Sequence, residues 1–449
     1  MAAEPIISVS GLRGVVGESL TPEVAIRYAT AFAAAAPAGA MVITRDSRPS
    51  GSLLAEAIHA GLRAVGRHTI DAGIAATPTT GVLIRHYRAA GGIQISASHN
   101  PSEYNGLKLF SAEGRVIPDA PGQKVLARYR AGTIDWVRHD RLGTEEACTD
   151  AISSHLKAVL ATVDVDRIRA RRFKVVLDSN RGAGSLLGVR LLEELGCQVK
   201  LLGGPTDGQF EHTPEPLAEN LAGVLPAVRQ AGADVGFCQD PDADRLAVID
   251  AAGRYLGEEY TLAMCVDHVL RRRKGPIVAN CASSRMSEDL AQKYGVPFFR
   301  SAVGEANVVD CMLAHDAIFG GEGNGGPIDP RVGLVRDSFV GMAILLDAMA
   351  SRNVRIGELA DELPRYHIVK TKIPVSREVI SARLDALARH FDGARADRLD
   401  GVRLDWPGRW LLVRASNTEP ICRAIAEAPT EDEARRLCEE AAGILRAGK

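Results

Sequence analysis

The chain has 449 residues, of which 46% are apolar and 24% charged, and its formal net charge is −2. That composition is globular, and at roughly 150 residues per domain the length allows about three. A near-neutral chain lacks the basic excess of a polyanion-binding protein, so nucleic acid is not an expected partner and any anion must be held by local loops.

The first residues, Met1-Ala-Ala-Glu-Pro5, carry neither the basic nor the apolar region of a secretory signal. No run of 18 apolar residues is present to cross a membrane, and the Ala-rich stretch from Ala29 to Ala40 reads as a soluble helix. The eight cysteines, Cys148, Cys197, Cys238, Cys265, Cys281, Cys311, Cys422 and Cys438, include no C-x-x-C pair. They read as small buried hydrophobes rather than zinc ligands. Reduced thiols point to the cytoplasm.

Strand and helix patterns alternate through the first three quarters of the chain. Met41–Thr44 is an apolar run that leads through Arg45-Asp46-Ser47-Arg48-Pro49-Ser50-Gly51 into a helical stretch from Ser52 to Val65. The plan returns at Lys174–Leu177, the loop Asp178–Gly184 and a helix from Ser185 to Leu195. A looser third copy runs from Pro276–Ala279 through the helix Met286–Tyr294 to Val296–Phe299. Such repeats predict similar α/β domains in tandem, with helices on the faces of parallel sheets. The last eighty residues change character. Gly401–Trp406 and Arg409–Arg414 predict two strands meeting at a turn, Ile421–Ala426 a third, and Thr430-Glu-Asp-Glu433 a capped helix running to about Arg446. That is an α+β unit built on antiparallel pairing, and the expected segments are 1–150, 151–252, 253–368 and 369–449.

Four constellations carry chemistry. Gly91–Ile95 predicts a strand ending at Ser96-Ala97-Ser98-His99-Asn100-Pro101, which places the Ser98 hydroxyl, exposed, at a strand-to-loop junction beside a histidine. Asp240-Pro241-Asp242-Ala243-Asp244-Arg245 lies between two apolar runs, so three carboxylates converge in a tight connection. A hard divalent cation such as Mg²⁺ relieves their repulsion. A calcium EF-hand needs Gly and Glu where this chain has Arg245 and Ala251, and is excluded. Gly320-Gly-Glu322-Gly-Asn324-Gly-Gly326 lets backbone approach a ligand, with Glu322 and Asn324 suited to sugar hydroxyls. Arg414-Ala-Ser416-Asn417-Thr418-Glu-Pro420, with Arg423 beyond it, offers two guanidinium groups, two hydroxyls and an amide, a cradle for phosphate.

In these motifs and their order the chain resembles the α-D-phosphohexomutases, over essentially its full length. Ser98 is similar to that family's phosphoserine, and the Asp240 loop to its D-G-D-x-D-R metal loop. The Glu322 loop falls where the family reads the sugar, and the Arg414 loop where it binds substrate phosphate. Gly11-Leu-Arg13-Gly14 resembles an N-terminal arginine turn of the active site, and Lys108 a lysine beside the reacting phosphate. The resemblance implies three related α/β domains with mixed sheets around a central cleft and a mobile C-terminal α+β domain. It also implies a cytoplasmic isomerase, monomer or homodimer, that interconverts hexose 6-phosphate and hexose 1-phosphate. Ser98 with Asp240, Asp242 and Asp244 would form the metal ligand set for Mg²⁺. A sugar 1,6-bisphosphate would be intermediate and activator, and Arg245 would stabilise the transferring group. Lys108, His99 and Arg13 are the candidates for general acid and base.

The wording of the serine and glycine-rich loops is most similar to phosphoglucosamine mutases, with phosphomannomutase/phosphoglucomutase members as the alternative. Two departures stand out. Pro241 replaces the usual glycine and stiffens the metal loop, and Gly326 stands where phosphomannomutase/phosphoglucomutase members commonly carry histidine. Two rival classes, a metal-dependent sugar phosphatase and a non-catalytic sugar-phosphate binder, are separated by whether inorganic phosphate accumulates and whether Ser98 carries phosphate.

Overall fold

Three of the four β-sheets repeat one strand pattern. The computed structural model describes residues 4–8, 10–416 and 421–446. The first sheet contains β1 (Ile6–Ser8), β2 (Gly11–Val15), β3 (Met41–Arg45), β4 (Thr69–Ile74), β5 (Gly91–Ile95), β6 (Tyr104–Ser111) and β7 (Glu145–Ala147), in the spatial order β1-β2-β6-β5-β3-β4-β7. The second contains β8 (Lys174–Asp178), β9 (Gln198–Leu202), β10 (Val235–Gln239) and β11 (Leu246–Asp250), ordered β11-β10-β8-β9. The third contains β12 (Ile277–Asn280), β13 (Phe298–Ser301), β14 (Phe319–Glu322) and β15 (Gly326–Ile328), ordered β13-β12-β14-β15.

In each, the first strand of the unit pairs in parallel with the second and the third, and the third turns back into an antiparallel fourth. Parallel neighbours need crossovers, and helices supply them: Ser50–Ala64 and Thr77–Tyr87, Gly184–Glu194 and Val224–Gln230, Met286–Tyr294 and Glu305–Ala314. The expected mixed α/β repeat is therefore present three times. In each copy the third-to-fourth strand connection carries a chemical motif, namely the Ser98 loop, the Asp240 loop and the Glu322 loop.

The second and third sheets share one continuous core, in which Leu177, Phe237 and Leu246 meet Leu262, Phe319 and Phe339. The helix Ser338–Arg352 is buried along most of its length and opens on Asp337, whose side chain accepts from Phe339 N and Val340 N. The C-terminal unit is a five-stranded antiparallel sheet of β16 (His367–Pro374), β17 (Arg395–Asp397), β18 (Val402–Trp406), β19 (Arg409–Ala415) and β20 (Ile421–Ala428), ordered β16-β20-β19-β18-β17. Helices Ile380–His390 and Glu431–Arg446 cover one face. On the other, Trp410, Leu412 and Ile425 pack with Cys281 of the third unit.

Some local expectations are corrected. The Ala-rich helix spans Pro22–Ala35 instead of reaching Ala40. Thr21 caps it by accepting from Val24 N, and the chain leaves the helix at Ala36, before Pro37, to enter β3. Gly11–Gly14 is part of strand β2 and not a turn, with Arg13 opposite Gly106 of β6. The second strand of the third repeat, β13, begins at Phe298, two residues later than Val296. All eight cysteines are free; Cys238, Cys265, Cys281, Cys422 and Cys438 are buried, and the other three half-buried. No helix among the described residues is long and apolar enough to cross a membrane.

Candidate active site

Ser98 sits just past the end of β5 with φ of 50°, a left-handed conformation that costs a non-glycine residue about 1–2 kcal/mol. A buried arginine holds it there. Arg48 Nη2 donates to Ser98 O (2.7 Å) and Asn100 O (2.6 Å), and Nη1 to Pro101 O (2.6 Å) and Tyr104 O (3.1 Å). Its Nε pairs with Asp46 Oδ2 at 3.1 Å. Asp46 Oδ2 also accepts from Ser96 Oγ (2.7 Å), which in turn accepts from Ser98 N (2.9 Å). The loop is thus fixed through its own main chain. Ser98 is 2% exposed, so the expectation of an exposed hydroxyl is corrected. The side chain faces inward because its partner lies in the second unit: Ser98 Oγ donates to Asp240 Oδ2 at 2.9 Å.

Asp240, Asp242 and Asp244 are fully buried, and one oxygen of each lies within 4.8 Å of the others. A positive φ falls on Ala243, not on Pro241, so the loop accepts proline without strain. Thr77 Oγ1 donates to Asp242 Oδ2 (2.6 Å), and Lys108 Nζ lies 3.4 Å from Asp242 Oδ2 and 3.0 Å from Asp244 Oδ2. The Oδ1 atoms of Asp242 and Asp244 are buried and have no partner. Burial, and then the neighbouring Asp242 and Asp244 carboxylates, push Asp240 well above the usual carboxylate range. Burial opposes ionisation of Asp244 too, but Arg336, Lys108 and Arg245 outweigh it and pull its pKa down. Burial also opposes the charge on Lys108, which Asp244 and Asp242 restore and strengthen. Orphaned carboxylate oxygens in an all-oxygen cluster fit a hard divalent cation.

The other expected residues gather around this centre. His99 Nδ1 is 3.4 Å from Ser98 Oγ, and burial, followed by the charges of Arg245 and Arg13, pushes its pKa down to about 2. Arg13 Nη1 donates to Asn100 Oδ1 (3.1 Å). Arg245 donates its backbone N–H to Asp240 Oδ1 (3.2 Å) and pairs through Nη1 with Glu215 (3.2 Å). Glu322 is buried and already engaged, accepting at Oε1 from Asn280 Nδ2 (2.7 Å) and Gly304 N (3.1 Å) and at Oε2 from Arg336 Nη1 (2.7 Å). Asn324 Oδ1 is buried without a partner.

The C-terminal loop joins the same chain of contacts. Arg414 Nε donates to Asp400 Oδ2 (2.9 Å), which also accepts from Val303 N (3.0 Å), next to the Gly304 amide that binds Glu322. Ser416 is buried, and its N–H closes the hairpin on Ile421 O. Arg423 stands in register between Lys372 and Arg414 across three strands, so three cations share one sheet face. Asn417 and Thr418 lie outside the described residues. Neighbouring contacts therefore link the motifs: Ser98 meets Asp240, Arg245 Nε lies 3.9 Å from both Asp240 and Asp244, Arg336 joins Asp244 to Glu322, and the successive amides of Gly304 and Val303 bind Glu322 and the Asp400 that holds Arg414.

Sequence reasoning passed over Arg48, Arg336, Thr77, Glu305 and Lys372. No local pattern marks Arg336, which precedes the cap at Asp337 and meets its partners Asp244 and Glu322 from distant segments.

Comparison with known proteins matches the family descriptions "Phosphoglucomutase/phosphomannomutase, alpha/beta/alpha domain I" at residues 6–134, domain II at 153–253, domain III at 258–366, and the C-terminal domain at 371–444. The chain belongs to the phosphoglucomutase/phosphomannomutase family. It is a phosphohexomutase, an isomerase of sugar phosphates. A "Phosphoglucomutase/phosphomannomutase" of Thermococcus kodakarensis is 38% identical over 438 residues, 96% of each chain. A "Probable phosphoglucosamine mutase" of Thermococcus gammatolerans is 35% identical over 97% of each chain. A phosphoglucomutase/phosphomannomutase family protein from Burkholderia thailandensis superposes with a TM-score of 0.87 at 26% identity, covering 100% of this chain and 99% of that one.

Proposed function

We propose that this phosphohexomutase interconverts glucosamine 6-phosphate and glucosamine 1-phosphate through a phosphorylated Ser98 and a 1,6-bisphosphate intermediate. The observation that carries the reading is the 2.9 Å hydrogen bond from Ser98 Oγ to Asp240, which joins the nucleophile's loop to the acid cluster. Asp240, Asp242 and Asp244, with the Ser98 phosphate, are the residues that would hold Mg²⁺. When bound, the dication supplies positive charge opposite the phosphoryl oxygens, the main requirement of phosphoryl transfer.

The chain's own groups do the rest. Arg414, Ser416, Asn417, Thr418 and Arg423 grip the resting phosphate of the sugar, and Glu322 and Asn324 meet its hydroxyls. The free sugar hydroxyl attacks the phosphorus on Ser98, and the P–O bond to Ser98 Oγ breaks. Arg13, Lys108 and Arg245 donate to the oxygens of the group in flight. The proton lost by the attacking hydroxyl is returned to Ser98 Oγ as that oxygen leaves, with Lys108, His99 and Arg13 as the groups placed to carry it. The bisphosphate turns over and returns its other phosphate to Ser98. The burial of Ser98 supports transfer to sugar over loss to water, because water admitted to the site would be activated toward the phosphoserine by the same groups that activate the sugar hydroxyl.

A second substrate reading, mannose or glucose phosphate, is favoured by the 38% identical relative that bears that name. Intact-protein mass spectrometry after incubation with glucose 1,6-bisphosphate tests the mechanism. The expected result is a single phosphate on Ser98, absent in Ser98→Ala together with mutase turnover. Near-normal turnover by Ser98→Ala would refute the mechanism. Comparison of kcat/KM for glucosamine 6-phosphate, glucose 1-phosphate and mannose 1-phosphate decides the sugar.

A further inference from the structure

Arg336 lies one residue before the cap of the helix Ser338–Arg352 and is 8% exposed. Its guanidinium is shared between two loops. Nη2 is 2.6 Å from Asp244 Oδ2 and Nη1 is 2.7 Å from Glu322 Oε2. Its backbone N–H donates to Glu305 Oε1 (2.9 Å), and Nε lies 3.6 Å from Glu305 Oε2. The aliphatic stem fills the space beside Gly326, where an added Cβ would sit 2.4 Å from Arg336 Cδ. A side chain at position 326 and Arg336 in this place exclude each other, which gives the glycine there a physical cause.

The division of labour on the carboxylates is informative. Asp244 Oδ2 is taken by Arg336 and Lys108, whereas Oδ1 is buried with no hydrogen-bond partner, the nearest cation being Arg245 Nε at 3.9 Å. Of the roughly four acceptor directions of Glu322, Arg336, Asn280 and Gly304 take three. Asp244 is therefore fixed at one oxygen and keeps the other without a hydrogen bond, and Glu322 is fixed at both oxygens and keeps one acceptor direction, on Oε2. A partner of this kind that fixes a metal-binding acid typically changes metal affinity by 10- to 100-fold, and the rigid planar fork of a guanidinium fixes the direction of each acid it holds, which the rotatable point charge of an ammonium does not.

We propose that Arg336 is a positioning residue that sets Asp244 toward the cation and Glu322 toward the sugar together, so that cation binding and sugar recognition are energetically coupled through one side chain. The inference rests on the reading of Asp240, Asp242 and Asp244 as the cation site.

The test is Mg²⁺ titration calorimetry on the full-length protein without sugar, with thermal stability measured alongside. Arg336→Lys keeps the charge and removes the fork; it is expected to weaken Mg²⁺ binding about tenfold. Glu322→Gln is nearly isosteric and touches none of the three aspartates. It is expected to weaken Mg²⁺ binding roughly threefold, because the Arg336 charge then bears on Asp244 alone. In the double variant the added effect of Glu322→Gln should fall below twofold. Equal effects of Glu322→Gln with Arg or Lys at position 336 would mean through-space charge only and overturn the coupling, as would Mg²⁺ affinity within twofold of wild type in Arg336→Lys. Asp242→Asn, a residue Arg336 does not touch, separates the two failures. Undiminished Mg²⁺ binding there sinks the cation site and the coupling with it. Lost binding there beside a silent Arg336→Lys sinks the coupling alone.

Discussion

Replacing Arg48 by methionine should loosen the serine loop more than any change to the serine itself. Arg48 and Asp46 side chains are both fully buried, and breaking a buried pair by removing one member costs about 3–5 kcal/mol. Four main-chain carbonyls, of Ser98, Asn100, Pro101 and Tyr104, lose a donor at the same time. Relaxation and entering water recover part of that, so the ion-pair figure is the floor. At roughly 2–4 °C per kcal/mol for a unit of 150–250 residues, the first calorimetric transition of Arg48→Met should fall by about 6–20 °C. The left-handed Ser98 should relax as well, because the carbonyl anchoring it on one side is freed. Transfer of phosphate from glucose 1,6-bisphosphate to Ser98, followed by mass spectrometry below the melting range, should slow by at least tenfold. Arg48→Lys keeps the charge but cannot span Asp46 and four carbonyls, and should resemble methionine in transfer rate. A transition within 2 °C of wild type, with transfer within twofold, would show that the loop holds its own shape and that the arginine is incidental.

Three other outcomes follow from the same structure. Ser98→Gly should be more stable than Ser98→Ala by about 1 kcal/mol in denaturant titration, because only glycine adopts a φ of 50° freely; equal stability would contradict the strained backbone. Burial pushes Glu259 up to about 8, against the opposing charge of Lys370. Between its ordinary 4.5 and 8 the native state keeps a proton that the unfolded chain has released, so this group lowers stability as pH rises, by about 1.4 kcal/mol per pH unit. Glu259→Gln should remove that slope, and an unchanged stability–pH profile would disprove it. Lys372→Ala, which removes one of the three aligned cations, should raise KM for sugar phosphate roughly three- to tenfold with kcat little changed, the effect shrinking at high salt. A fall in kcat at constant KM would place Lys372 elsewhere in the reaction.

The serine loop, the acid loop and the repeated α/β plan were legible because their information is local. Three aspartates spaced two apart between two apolar runs must share a hairpin, and β10 and β11 pair as that requires. What was not legible depends on segments far apart in the chain. Arg48 is an ordinary loop arginine until Asn100, Pro101 and Tyr104, some fifty residues on, close around it. Arg336 meets Asp244 across 92 residues. Ser98 looked exposed because a strand-to-loop junction usually is; its burial is imposed by the second unit. Gly11–Gly14 is expected to be a turn only through its resemblance to the family's arginine turn. It is a strand because Gly11 and Gly106 let β2 and β6 approach closely: an added Cβ would lie 2.2 Å from Leu107 O at Gly11 and 2.6 Å from Leu12 O at Gly106.

The threefold repeat explains why these groups meet at all. Each copy places its third-to-fourth strand connection at the same end of its sheet, so three copies arranged about one centre bring three versions of one loop together. The first supplies a hydroxyl, the second carboxylates and the third a sugar acceptor. Such convergence concentrates charge away from water, which is costly unless the charges are paired. Arg13, Lys108, Arg245 and Arg336 stand among Asp240, Asp242, Asp244, Glu305 and Glu322, so buried acids and cations are nearly matched in number. A serine phosphate brings about −2 and a dication +2, so the two together leave that balance unchanged, whereas either alone shifts it by two. The seams between copies are where balance is hardest to keep, because acids of two loops face each other there. Arg336 sits at one such seam, between the acid loop and the sugar loop, where a single planar cation answers both sides.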